Sequence, residues 1–450
     1  MTASDDELLT LVERVAGRAG DGEQVEVVAI RSRDTEIRVY EGDVEQLSSA
    51  ESAGIGVRVL RGHRQGLAYA GTLEEDALDE VLAEARENAA FGTPDEFLGL
   101  AEPDGVEPVD LDLWREALGG YRADAKVDLA LELERAVRAA DARVTAVKAT
   151  DYADSMTEAA LASSVGIRSS SRATTCYVST SVLAADGEET QTGYGYSIGR
   201  QPGDLDVDRA AGDASDRATR MLGATKPQSG RTTVVFEPRV TAQFLGILGG
   251  TLSGEAVLKG RSLFAERVGE DVGAAILTLV DDPTNRLAYG ASRTDGEGLA
   301  TRPNLLIEKG VLQGFLHNAY TGRRLGGTST GSAVRGFKSV PGVGARALAL
   351  TAGPLSPPDL WADIEDGVLI QTLKGLHSGV NAVSGDFSVG AEGLRIRGGA
   401  PAEPLREFTI ASTIQKMLKD VTAVGSDVEW LPMRAAGVSL VVADVTLSGR

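Results

Sequence analysis

Apolar and polar residues alternate along most of this chain with the period of two that marks half-buried strands, and a few segments switch to the 3.6-residue period of helices. Ser4-Asp5-Asp6-Glu7 has the form of a capping box, with Leu8, Leu11, Val12 and Val15 following at helical spacing, which predicts a first helix. Residues 25–30 and 36–40 are rich in β-branched side chains and bracket the polar run 31–34, a pattern that predicts a hairpin. Residues 47–60 and 66–70 continue the strand pattern, with Gly54 and Gly56 read as bulges or bends. Thr72-Leu73-Glu74-Glu75 reads as a second capping box, opening a helix through Leu78, Val81, Leu82 and Ala85 that ends before Gly92 and Pro94. An acidic loop follows over residues 93–108.

The scheme then recurs. A strongly amphipathic helix over 127–140 leads into strands at 144–150 and 157–161, then Ser163-Ser164-Val165-Gly166-Ile167, which parallels Ser48-Ser49-Ala50 and Gly54-Ile55. Strands at 174–182 and 191–197 and an Asp-rich helix over 204–222 complete what reads as an internal duplication of a strand-rich unit. The Pro- and Gly-bearing stretch 225–230 divides the chain into an N-terminal α+β domain, 1–225, and a β-rich C-terminal domain, 226–450. In the second domain a short strand stops at Pro238 and an apolar, glycine-flecked helix runs on to about residue 259. Further along, 305–308 and 311–316 form a hairpin about Lys309-Gly310, and Ser356-Pro357-Pro358-Asp359 opens a helix. Strands are expected at 368–373, 394–397 and 438–447, and a helix at 410–421. Strands and helices are segregated rather than alternated, so the expected class is α+β, in two domains.

Composition narrows the function. A formal charge of −21 argues against a nucleic-acid surface, which must neutralise phosphates with Lys and Arg. The single cysteine, Cys176, excludes a disulfide framework or a cysteine metal cluster and fits a reducing compartment. The first residues lack the basic and apolar parts of a secretory signal, and the most apolar stretch, 240–258, is broken by Gln243, Thr251, Ser253, Gly254 and Glu255. The expectation is a cytoplasmic protein with no nucleic-acid or membrane partner.

Candidate chemistry is sparse. His63, His317 and His377 are too far apart in sequence to begin a local metal site. Gly327-Thr328-Ser329-Thr330-Gly331 has the letters of a nucleophile elbow, but the segment before it, 319–325, reads as helix where that mechanism needs a strand. Gly193, Gly195 and Gly199 miss the dinucleotide spacing. The acidic pairs Asp281-Asp282 and Asp295/Glu297 have the right groups for acid–base work, and equally the right setting for turns that satisfy backbone N–H groups.

Across 232–411 the chain resembles the TldD/PmbA family, on its TldE (PmbA) branch. The resemblance is carried by Phe236-Glu237-Pro238, Leu252-Ser253-Gly254, Val280-Asp281-Asp282-Pro283, Asp295-Gly296-Glu297-Gly298, Leu306-Ile307-Glu308-Lys309-Gly310, Ser329-Thr330-Gly331, Ser384-Gly385-Asp386-Phe387 and Glu407-Phe408-Thr409. It implies a two-domain α+β protein and a heterodimer in which a TldD chain is the zinc metallopeptidase. The TldD signature, His-Glu-x-x-x-His plus a late cysteine, falls here on Gly246, Ile247 and Thr251, with no cysteine after Cys176. By resemblance, then, this chain has no catalytic residue and no metal of its own, zinc belongs to a TldD-like partner, and an extended peptide is the substrate. Thr330, Arg335 and Asp386 are the candidates for shaping a peptide groove. Three alternatives stay open: a homodimer of this chain alone, a self-contained enzyme using Ser329 or the Asp295/Glu297 pair, and a regulatory binding module of the kind the family's gyrase-modulator label describes.

Overall fold

Two units of the same design open the chain. In the computed structural model, which describes the backbone from residue 3 and side chains from residue 7 to residue 450, α1 (Ala3–Ala16) precedes β1 (Glu23–Tyr40), β2 (Asp43–Arg61) and β3 (Arg64–Ala70), and α2 (Glu75–Phe91) closes the unit. The design repeats as α3 (Ala123–Ala140), β4 (Val144–Ser163), β5 (Arg168–Asp186), β6 (Glu189–Gly199) and α4 (Val207–Thr219). The six strands make one antiparallel sheet in the order β3-β2-β1-β4-β5-β6, so the first strands of the two units pair at its centre. The side chains of Ser4, Asp5 and Asp6 in the first capping box lie outside the described residues.

The strands' side-chain period explains the layering. Val25, Val27 and Ala29 of β1 pack against Leu8, Val12, Leu78 and Leu82 of α1 and α2, while Ile37 and Val39 at its other end pack against Leu133 and Ala214 of α3 and α4. All four helices therefore cover one face. The alternate residues Val28 and Ile30 turn to the opposite face, where they meet Leu299, Ala319 and Phe337 of the C-terminal half.

Several expectations need correction. Residues 31–34 are not a turn: β1 runs straight through them, because their polar groups find partners, Arg31 in Glu158 of the neighbouring strand at 2.9 Å and Arg33 in the Gly119 carbonyl of a short 3-10 helix at 2.5 Å. In the same way 144–150 and 157–161 are parts of the one strand β4. Gly54 and Gly56 do not bend β2; they form a notch for Phe337, whose ring and carbonyl occupy the space a Cβ would need. Gly193 and Gly195 serve similarly, letting β6 approach the α4 backbone at Ala210 and Ala214. At α2 the capping residue is Glu74, with no side-chain cap, and Thr72 accepts instead from the Glu74 N–H at 3.2 Å.

In the C-terminal half, β7 (Gly230–Phe236) pairs in parallel with Asp366–Lys374 and antiparallel with Leu440–Ser448. Asp386–Arg397 and Ala400–Thr413 extend this sheet, and pairing of Ala400–Thr413 with Leu440–Ser448 closes it on itself. The expected helix at 410–421 is three elements. Ile410 to Thr413 finish a strand, Thr413 caps the short helix Ile414–Lys419, and Val421 begins another strand. The hairpin about Lys309-Gly310 forms, but its second strand is only Val311–Leu312. β7 delivers the chain to α5 (Pro238–Thr251), with Pro238 in the first turn, and α6 (Gly254–Leu258) follows, capped by Ser253. Phe244, Leu245 and Leu248 fix α5 in the main core. No helix among the described residues is long and apolar enough to cross a membrane.

Candidate functional site

A cleft of about 940 Å³ lies where the N-terminal sheet meets the C-terminal half. Its walls come from β2 (Arg58), the loop 93–99, α6 with its C-terminal cap (Glu255, Lys259), Glu297 and one side of α7 (Ala319–Arg324). The loop 93–99 is tied to α7: Tyr320 Oη donates to Asp95 at 2.7 Å, Arg324 reaches the same carboxylate at 2.9 Å, and Arg323 donates to the Phe97, Gly99 and Leu100 carbonyls.

Beneath the cleft lies a buried charge network. Glu26 of β1 and Arg58 of β2 face each other across the ladder, bonded at 3.1 and 3.2 Å, and Arg335 reaches the same carboxylate from the C-terminal half. Glu26 is fully buried, and against that burial the two guanidiniums hold its carboxyl below its ordinary value. Arg335 Nε and Nη2 have no hydrogen-bond partner.

The Asp295/Glu297 pair divides its work. Asp295 accepts from the backbone N–H groups of Glu297, Leu299 and Ala333 at 2.8, 3.1 and 3.0 Å, so it organises the turn. Glu297 accepts one bond, from the Ala319 N–H at 2.8 Å, and lines the cleft. Burial, then the charge of Asp295, pushes Glu297 up to about 7; burial pushes Asp295 up to about 6 despite its three donors. Asp281 likewise anchors backbone, accepting from Arg346 and Ala347, and Asp282 accepts from Thr284.

The three histidines stay apart. His63 and His377 are exposed, while His317 is half-buried with Nδ1 3.3 Å from the Thr321 hydroxyl. Ser329 Oγ faces the His317 carbonyl at 3.3 Å and accepts from the Gly331 N–H, so no base addresses it. Among the described residues no three His, Cys, Asp or Glu side chains gather as a metal site.

Three matches to known families span most of the chain: a PmbA/TldA metallopeptidase domain 1 over residues 25–89, a central domain over 117–222 and a C-terminal domain over 229–449. The chain belongs to the PmbA/TldD family. It is 26% identical over 423 residues to the metalloprotease PmbA of Escherichia coli O157:H7, covering 93% of this chain and 90% of that one. It is 28% identical over 416 residues to a metalloprotease of Methanothermobacter thermautotrophicus, covering 90% and 88%. The crystal structure of TldE from Thermococcus kodakarensis superposes with a TM-score of 0.89 at 24% identity, covering 99% of this chain and 100% of that one.

Gly246, Ile247 and Thr251, the positions on which the resemblance places the zinc signature, lie on α5. Gly246 is exposed, Ile247 is half-buried, and Thr251 is buried with its hydroxyl donating to the Leu248 carbonyl at 2.8 Å. A glycine, an isoleucine and a self-bonded threonine do not fit a zinc ion. Of the groove candidates, Thr330 is bonded to the His317 backbone, Arg335 is in the Glu26 network and Asp386 is exposed beside Ser384. None of the three lines the cleft, and they are not brought together. Sequence reasoning missed Glu26, Arg58, Asp95 and Tyr320. The available signal was a charge set inside an apolar strand, as in Val25-Glu26-Val27 and Val57-Arg58-Val59.

Proposed function

We propose that this chain is the TldE-type subunit of a two-chain, cytoplasmic metallopeptidase that processes unfolded or modified peptides, with the hydrolytic zinc held by a separate TldD-type chain. This subunit holds substrate and walls the chamber. The observation that carries the reading is the make-up of α5. A catalytic zinc needs three protein ligands and a nearby base, and Gly246, Ile247 and Thr251 supply neither. Cys176 offers no substitute: it is buried in the N-terminal sheet core, and burial pushes its thiol up to about 12, so it stays protonated. The family's metallopeptidase chemistry and the metalloprotease names of the relatives support the reaction class. The cleft between the halves, walled in part by an extended loop, supports a role in holding peptide.

Co-expression with a TldD-type chain bearing the intact signature tests the reading. The two chains are expected to co-elute on size exclusion at equal stoichiometry and to cleave an unstructured peptide that neither cleaves alone. A partner that is fully active without this chain, or a failure to associate, sinks it.

A further inference from the structure

We propose that the cleft receives a primary ammonium group, the free amino terminus of an extended peptide or a lysine side chain, and that Glu297 is its counter-ion. The proposal rests on the peptide-holding reading above and adds the chemistry of the end that is held. The charges of the cleft wall leave one place for a ligand. Arg58 is bonded to Glu26, Arg324 to Asp95, and Lys259 to Glu255, while Glu96 is exposed at the rim. Glu297 is 1% exposed and has no ion-pair partner among the described residues.

The geometry also selects the kind of cation. Glu297 Oε2 is taken by the Ala319 N–H, so one oxygen remains for a ligand. A guanidinium prefers both oxygens of a carboxylate in a forked pair. A divalent metal requires several oxygen ligands, and this site offers a single uncommitted carboxylate oxygen. An ammonium needs only one charged acceptor and can turn its remaining donors to carbonyls or water.

The groups facing Glu297 set its response to pH. Asp295 stands in its own turn, Glu26 and Arg58 come from β1 and β2, Arg323 from α7 and Arg335 from the following loop. With its carboxyl held at about 7, Glu297 is an anion at pH 8 and largely a neutral acid at pH 6. The ligand must also keep its proton: an α-amino terminus titrates at about 7.7–8.0 and a lysine at about 10.4. Binding of a terminus therefore rises from pH 6 to about pH 7.5 and stays above its pH 6 level at pH 8, while binding of a lysine rises throughout.

The test uses the full chain and a ten-residue unstructured, lysine-free peptide with a fluorophore at its C-terminal end, read by anisotropy. At pH 8 the free-amine form is expected to bind about tenfold more tightly than the N-acetylated form, the scale of one charged hydrogen bond. The preference shrinks severalfold at pH 6, and Glu297→Gln, checked for folding by circular dichroism, abolishes it. An acetylated peptide with one internal lysine separates the sources: binding equal to the free-amine form shows that any ammonium serves, and weaker binding shows that the terminus is read. Equal binding of the free and acetylated lysine-free peptides at pH 8 overturns the proposal and leaves peptide holding intact. Binding of no peptide overturns both. Should the variant not fold, the wild-type comparison at the two pH values decides alone.

Discussion

Asp295 and Glu297 sit two residues apart, and the number of backbone donors each meets separates their roles. The sequence showed that both could close a turn, but the donor count depends on residues 319 and 333, which arrive by tertiary folding. Both carboxyls have native values above their ordinary ones, so the folded state holds these protons more tightly than the unfolded chain. That stabilisation is complete below about pH 4 and is lost as pH rises through 6 to 7. The melting temperature of the wild type should fall between pH 5 and pH 8, and Glu297→Gln should fall less; equal slopes for the two proteins contradict the assignment. Glu26 makes a sharper case. Removing it by Glu26→Ala strands the Arg58 and Arg335 guanidiniums in the interior, with an expected loss of about 3–5 kcal/mol in urea unfolding. A loss below about 1 kcal/mol argues against a closed network.

At the scale of elements, helices and strand-rich segments were legible because amphipathic periods survive any tertiary setting. Breaks were less legible. The polar run 31–34 looked like a turn, yet it holds no Gly, Pro or Asn, and its charges are answered by β4 and the Gly119 carbonyl. The Gly54/Gly56 notch has its reason in Phe337, more than 280 residues away. Phe337→Ala should loosen the contact between the N-terminal sheet and the C-terminal half, costing about 2 kcal/mol and raising proteolysis in the segment 334–344. Unchanged stability and cleavage tell against this latch. On α5 opposite responses are expected at Gly246 and Thr251. Gly246 is exposed with open space about its Cα, so Gly246→Ala should stabilise the isolated chain by roughly 0.5–1 kcal/mol. Thr251 is packed in the core, so Thr251→His should cost about 1–3 kcal/mol. Thermal melts of the two variants read both directions.

At the scale of the molecule, the repeated helix–three-strand–helix plan is legible in the order of the periodic segments, because each unit is local in sequence; the paired Gly-Ile segments carry none of it, since Gly54 lies inside β2 and Gly166 in the turn between β4 and β5. The cleft is not legible. Its wall and floor join residues from Glu26 to Gly342 that meet only when the sheet's uncovered face receives the C-terminal half. The proposed function puts hydrolysis on a second chain rather than on this one. Zinc content per protomer tests it most directly, measured by mass spectrometry on the isolated chain and on its complex with a TldD-type chain, after dialysis against metal-free buffer. The expected result is no retained zinc in the isolated chain and one zinc per complex. One tightly held zinc per isolated chain would contradict it.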